Sequence, residues 1–201
     1  MHSAGSPIAM RKSREETART RARIVATAAE EFRRTGIAAT GLASLMGAAG
    51  LTHGGFYKHF TSKDQLVTEA CASLMMSGTD VLVERARKEP PDQRLAWFVN
   101  AYLSPGHRDD AAHGCGLAAL GAELARGTEE TREVVTEGLN HMVDAVASLM
   151  DPSDNLDTRA RAQTLTAGLI GAMTLARAVN DAALSEELLA NTAKTLLASV
   201  R

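Results

Sequence analysis

Residues 44–60, reading Ser44-Leu45-Met46-Gly47-Ala48-Ala49-Gly50-Leu51-Thr52-His53-Gly54-Gly55-Phe56-Tyr57-Lys58-His59-Phe60, constrain the fold more than any other stretch. A short amphipathic segment ends at Gly50, and a second short segment, polar and aromatic, runs from Thr52 to His59. Two short helices joined by a glycine turn are the pattern of a helix-turn-helix, whose second helix enters the DNA major groove. Gly50 permits the turn because glycine takes positive φ at no steric cost. Leu45, Leu51, Phe56 and Phe60 supply the apolar anchor. Thr52 is placed to cap the second helix and to offer a hydroxyl or backbone N–H to a phosphate. Upstream, Ile24, Ala28 and Phe32 recur at i, i+4 and i+8, then come Gly36 and Thr40, so a longer helix precedes the pair and stops at Gly36.

The remainder also reads as helix. Aromatics make up 3% of the chain, five prolines punctuate it, and no run of β-branched residues suggests a strand. The periodicity predicts helices over about 14–34, 41–48, 52–59, from Thr61 onwards, 90–102, 114–126, 128–150, 156–180 and 185–200, with a polar loop at 107–113. The fold class is therefore all-α, with about nine helices. A disordered tail is expected over 1–12, a three-helix helix-turn-helix DNA-binding domain over 13–61, and a larger helical domain over 62–201.

Residues 1–63 carry ten Lys/Arg and four Asp/Glu, whereas residues 64–201 carry twelve and twenty. A basic head on an acidic body suits a head that meets a polyanion. The N-terminus lacks the basic start and apolar run of a signal peptide, and the longest nearly apolar stretch, 167–176, is too short to cross a membrane. Two distant cysteines favour a reducing compartment, so a cytoplasmic location is expected. No cofactor motif and no metal are expected. The six histidines are scattered, and His107, Asp109, Asp110 and His113 read as a solvated loop. An enzyme reading loses, since Gly114-x-Gly116 follows no strand and has the wrong spacing for a nucleotide loop. A nonspecific architectural DNA-binding protein remains as an alternative.

The segment from Ile24 through Phe60 resembles the N-terminal domain of the TetR family of transcriptional regulators, over roughly residues 20–70. The resemblance implies a ligand-responsive repressor that is a homodimer, binds a palindromic double-stranded DNA operator, and is released by a small hydrophobic or electrophilic inducer. It implies phosphate contacts from Thr40, Tyr57, Lys58 and Lys63 and groove-facing positions at Thr52, His53, Gly54 and Gly55. Tyr57 has core packing as its alternative, and Arg11, Lys12, Arg14, Arg19, Arg21 and Arg23 could extend the phosphate contacts or form a solvated face. Gly54-Gly55 departs from the family pattern and leaves His53 as the side chain for base readout, with DNA shape more important. Met46 replaces the usual small residue and should lengthen the core contact. A ligand cavity is expected among the middle helices, at Trp97, Phe98, Tyr102, Cys115, Leu120, Leu139, Met142 and Met173. Cys115 in His113-Gly114-Cys115-Gly116 resembles a position that senses electrophiles in a branch of the family; a small core cysteine is the alternative. The last two helices, with Gly168, Leu169, Gly171, Ala172, Leu175, Leu189 and Leu196, are expected at the dimer face, intramolecular core being the other possibility.

Overall fold

Nine α-helices and two 3₁₀ helices account for most of residues 7–150 and 157–199, which are the residues described by the structure, a computed structural model; side chains are described from Arg14 onwards, except at Met76 and Ser77. The α-helices are α1 (Pro7–Thr35), α2 (Leu42–Ala48), α3 (Lys63–Ala86), α4 (Arg94–Tyr102), α5 (Pro105–Asp109), α6 (Gly116–Leu124), α7 (Glu129–Ala147), α8 (Thr158–Ala178) and α9 (Ala182–Ala198). His53–Lys58 and Pro91–Gln93 are the 3₁₀ helices. No strand occurs among the described residues.

The boundaries follow local chemistry. α1 stops where Gly36 takes a φ of 88° and its N–H bonds the Phe32 carbonyl at 2.8 Å. α2 ends with Gly50 at φ 70°, while Leu51 N–H returns to the Met46 carbonyl at 2.8 Å and Gly50 N–H to Gly47 at 2.9 Å. This double return satisfies carbonyls the helix end would otherwise leave open. Ser62 caps α3 by accepting from Gln65 N–H at 3.1 Å, and the Gln65 side chain accepts from Thr61 N–H at 2.8 Å. Thr128, Asp157 and Asp181 cap α7, α8 and α9 in the same way.

Several expectations are corrected. Residues 7–12, expected as tail, are the first turns of α1; residues 1–6 lie outside the described residues. The start expected at Leu156 also lies outside them, and α8 begins at Thr158. The polar loop expected over 107–113 is in part helix: Pro105 opens α5, where its missing N–H is no loss, and Ser104 caps it by accepting from His107 N–H at 3.1 Å. The second helix of the pair is 3₁₀ rather than α, as two adjacent glycines weaken α-helical propensity. α3 is, by length and composition, apolar enough to cross a membrane, unlike the shorter 167–176 stretch; here it is the central helix, flanked by α1, α4 and α7.

Burial divides into two cores. One gathers Ile24, Phe32, Leu45, Met46, Phe56 and Phe60 with Leu66, Ala70 and Leu74 of α3 and Leu120 and Leu124 of α6. The other joins Phe98, Val99, Met142, Val146, Leu165, Leu169, Met173 and Leu189. The first core crosses residue 61, so the helix-turn-helix shares its interior with α3 and α6. At Gly138 of α7 an added Cβ would lie 2.3 Å from the Met75 Cβ, so glycine is what lets α3 and α7 approach this closely.

Candidate functional site

The head tip carries the exposed members of the expected DNA-contact set. Thr52, His53, Gly54 and Lys58 are exposed, Gly55 is partly so, and the Tyr57 ring is 66% exposed although it packs edge-on against buried Phe56 at 5.2 Å. Thr52 has the extended backbone of a cap residue, yet its hydroxyl makes no capping bond. Neither Gly54 nor Gly55 has positive φ. Nothing lies within 4 Å of a Cβ built at Gly54, and at Gly55 the contacts would be ordinary ones to Thr52 and Met46. Internal packing therefore does not require these glycines; their smallness benefits only something approaching from outside.

Thr40 and Lys63 are placed differently from the expectation of phosphate contacts. The Thr40 side chain is buried, and its hydroxyl donates to the Gly36 carbonyl at 2.6 Å and pairs with the Thr35 hydroxyl at 2.9 Å. The Lys63 ammonium donates to the carbonyls of Ile37 and Thr40, both at 2.7 Å, tying the α1–α2 turn to α3. Arg21 is also turned inward: it bonds the His59 carbonyl, pairs with Glu69 of α3, and lies over the Phe60 ring at 4.2 Å. Arg14, Arg19 and Arg23 remain exposed, while the side chains of Arg11 and Lys12 lie outside those described.

In the body, a cavity of about 550 Å³ opens between α3, α4, α7 and the α5–α6 connection. Trp97, Tyr102, Cys115 and Met142 line it, as expected, together with Leu74, Leu82 and Leu117. Phe98 and Met173 do not: both are fully buried in the second core. Leu120 belongs to the core shared with the head, and Leu139 is 40% exposed on the outside of α7. Polar residues that sequence reading left out complete the wall: Arg33, Arg85, Ser104, His107, Asp110 and His113. The signal for His107 was its distance of five residues from Tyr102, which one turn of α5 converts into contact.

His107 is not part of a solvated loop. Its Nδ1 lies 2.6 Å from the Tyr102 carbonyl, which can only accept, and its Nε2 lies 3.2 Å from Cys115 N–H, which can only donate. The ring is therefore neutral with the proton on Nδ1. Burial lowers its pKa, and nearby Arg177 acts in the same direction, against the bond to Tyr102 and the charge of Asp110. Asp110 pairs with His113 at 2.8 Å, a bond that holds its pKa low. Arg177 of α8 donates to the carbonyls of Arg108 at 3.0 Å and His107 at 2.8 Å, closing the end of α5. At Gly114 a Cβ would sit 2.4 Å from the Arg177 guanidinium and 3.1 Å from the Asp110 carbonyl, so a side chain there would push the guanidinium aside. Cys71 is buried and its thiol is pushed up to about 12 by desolvation. Among the described residues no group of His, Cys, Asp or Glu is arranged to hold a metal.

Helices α1–α3 are bonded to the elements that follow them at several points, of which the pair Asp80–His141 at 2.6 Å between α3 and α7 is one. Arg33, at the end of α1, donates to the Gly114 carbonyl at 3.2 Å. Glu123 of α6 accepts from Ala38 N–H at 2.8 Å. Thr68 of α3 pairs with Thr131 of α7 at 2.8 Å.

On α8 and α9, Leu169, Ala172, Leu189 and Leu196 are buried within this chain's own core, and a Cβ at Gly168 would meet Leu196 at 2.9 Å. These residues pack the two helices together rather than facing outward. Gly171 and Leu175 are exposed, Leu175 at 55%, and Leu184 joins them at 43%.

Residues 24–70 match the family described as bacterial regulatory proteins, tetR family. The HTH-type transcriptional regulator TtgR of Pseudomonas putida is 40% identical over 65 residues, and ArpR of the same species matches equally; each alignment covers 32% of this chain and 31% of the relative. The match thus spans about a third of the length of these curated relatives. Over the whole fold, the reduced form of E. coli NemR superposes with a TM-score of 0.76 at 20% identity, covering 90% of this chain and 97% of that one. A TetR-family regulator from Cytophaga hutchinsonii gives 0.76 at 21% identity, covering 92% and 96%.

Proposed function

Since the chain belongs to the tetR family of bacterial regulatory proteins, we propose that it is a dimeric, site-specific DNA-binding transcriptional regulator of the cytoplasm and not an enzyme. Repression is the default reading, because occupancy of an operator is enough to block transcription. The observation that supports it most is the tip of the head: an exposed aromatic, a lysine and two outward-facing glycines at the end of a rigidly packed helix-turn-helix. Tyr57 and Lys58 would contact phosphates, His53 a base edge, and Gly54-Gly55 would let backbone approach the groove floor.

One head reads few base pairs, so two heads on a two-fold axis would read a palindrome. The dimer face would run over Gly171 and Leu175 of α8 and Leu184 of α9, the apolar residues left open by the intramolecular core. Leu175→Asp should then convert a dimer to monomers by light scattering without lowering helicity. A dimer that survives it would remove this face. The body cavity would take a small-molecule inducer, hydrophobic or electrophilic, with Cys115 at its wall.

Selection of binding sites from random duplex DNA by the purified, reduced protein tests the central reading. A recovered palindrome with half-sites about one helical turn apart supports it. Binding without enrichment of any sequence would favour the architectural alternative.

A further inference from the structure

The cavity wall is unequal in what it leaves unbonded, and this inference rests on reading the cavity as the effector site. Its acceptors are engaged: Asp110 is paired with His113, and the ring nitrogens of His107 hold Tyr102 and Cys115. Its donors are not. The Tyr102 hydroxyl is out of solvent contact in a residue only 2% exposed, and the Cys115 thiol, a weak hydrogen-bonding group, is the side chain it faces. Arg33 gives one nitrogen to the Gly114 carbonyl, but its buried Nε bonds nothing. Arg177, behind Gly114, holds a further buried nitrogen without an acceptor. Arg85 adds a second cation to the lining, and Asp110 is the lining's one carboxylate among the described residues. Buried donors without acceptors are costly, so a ligand that supplies acceptors gains what the protein alone leaves unmade.

We propose that this cavity binds an amphipathic organic anion, its acid head between Arg33 and the Tyr102 hydroxyl and its apolar body along Val81, Leu82, Trp97 and Met142. A volume of about 550 Å³ suits a one- or two-ring acid or a medium-length aliphatic one. The guanidinium prefers a carboxylate, sulfonate or phosphate head because each presents paired oxygens to its fork. Arg33 belongs to α1 of the head, so an anion drawing it from the Gly114 carbonyl would act directly on the head–body joint.

Two arylaminonaphthalenes with the same apolar body test this on the full chain. 1-Anilinonaphthalene-8-sulfonate carries an anionic head; N-phenyl-1-naphthylamine lacks it. Trp97 is the chain's one tryptophan and lines the cavity, so quenching of its fluorescence reports occupancy. The sulfonate should bind roughly tenfold or more tighter than the neutral compound. Arg33→Gln should abolish that preference while leaving the neutral probe within about twofold, and Arg33→Lys should restore part of it. Equal binding of both probes to the unaltered chain would overturn the anion proposal and leave the cavity as an effector site. So would a preference that survives Arg33→Gln. Failure of both probes to quench Trp97 would overturn the effector reading itself. The comparison on the unaltered chain decides even if Arg33→Gln fails to fold.

Discussion

In the head, Thr40 bonds the Gly36 carbonyl, Lys63 bonds two further carbonyls, and Arg21 bonds a carbonyl, a carboxylate and a ring. Around the body cavity, Tyr102, Arg33 and Arg177 each keep a buried polar atom with no strong partner. The head has exceptions of its own in His59 Nδ1 and in Arg33, which stands at the end of α1. The two regions thus treat polarity in opposite ways. A closed head holds its tip in one geometry, which reading DNA requires. A wall with open donors leaves free energy for an entering ligand to recover, which the proposed effector role requires.

The largest effect should come from the closed region. Phe32 is fully buried where α1 packs in the head core, and Phe32→Ala should lower unfolding free energy by about 3–5 kcal/mol. Trp97, half-buried at the cavity wall, should lose only roughly 1–2 kcal/mol as Trp97→Ala. Because the head core includes Leu120 and Leu124 of α6, urea unfolding of Phe32→Ala should remain one transition. A separate early transition would show that head and body are independent and break the comparison.

Two lysines in the same head sharpen it. Lys63→Ala removes a charged donor from two carbonyls and should cost about 1.5–3 kcal/mol, with little change in the salt dependence of DNA binding. Lys58→Ala, on the exposed tip, should leave the melting temperature unchanged. It should flatten the log–log salt slope by about 0.9, the effect of leaving one phosphate unneutralised. Identical slopes for the two variants would contradict the division between inward and outward lysines.

These lysines also show what could be read from the chain alone. The turn and anchors of the helix-turn-helix are set by nearby sequence, so the glycine turn at Gly50 and the anchors Phe56 and Phe60 were legible. Which way a lysine points was not, since Lys63 finds its partners 23 and 26 residues away. The cavity was half legible. Trp97 and Tyr102 stand out as rare aromatics on a helix, but Phe98, between them in the chain, turns into the core because helical spacing puts it on a different face from Trp97. Arg33 and Arg177 were invisible as site residues, because only tertiary packing brings α1 and α8 to the same loop. The dimer face suffered from the same ambiguity: leucines at helical spacing serve an intramolecular core as well as a partner.

His107 makes the cavity wall sensitive to acid. Burial and Arg177 hold its folded pKa below the ordinary 6.5, so between those two values the unfolded chain binds the proton that the folded chain refuses. Its contribution is fully present above about pH 6.5 and is lost as pH falls through the folded value. A proton on Nε2 would also break the bond from Cys115 N–H that sets the start of α6. Melting temperatures from pH 5 to 8 should therefore fall on the acid side in the unaltered chain and fall less in His107→Gln. Parallel profiles would mean that His107 does not titrate with folding.

The smallest expected change is the most direct test of the contrast between regions. Thr40→Val removes a hydroxyl that is bonded in the head and strands the Gly36 carbonyl, so it should cost about 1–3 kcal/mol. Tyr102→Phe removes a hydroxyl more deeply buried, yet one with no strong acceptor, and should leave stability unchanged or raise it by less than about 1 kcal/mol. The same deletion of one oxygen would then have opposite consequences in the two regions, read in paired urea titrations. A drop in stability in Tyr102→Phe as large as that in Thr40→Val would mean that the hydroxyl already has a strong partner, and the cavity wall would be as closed as the head.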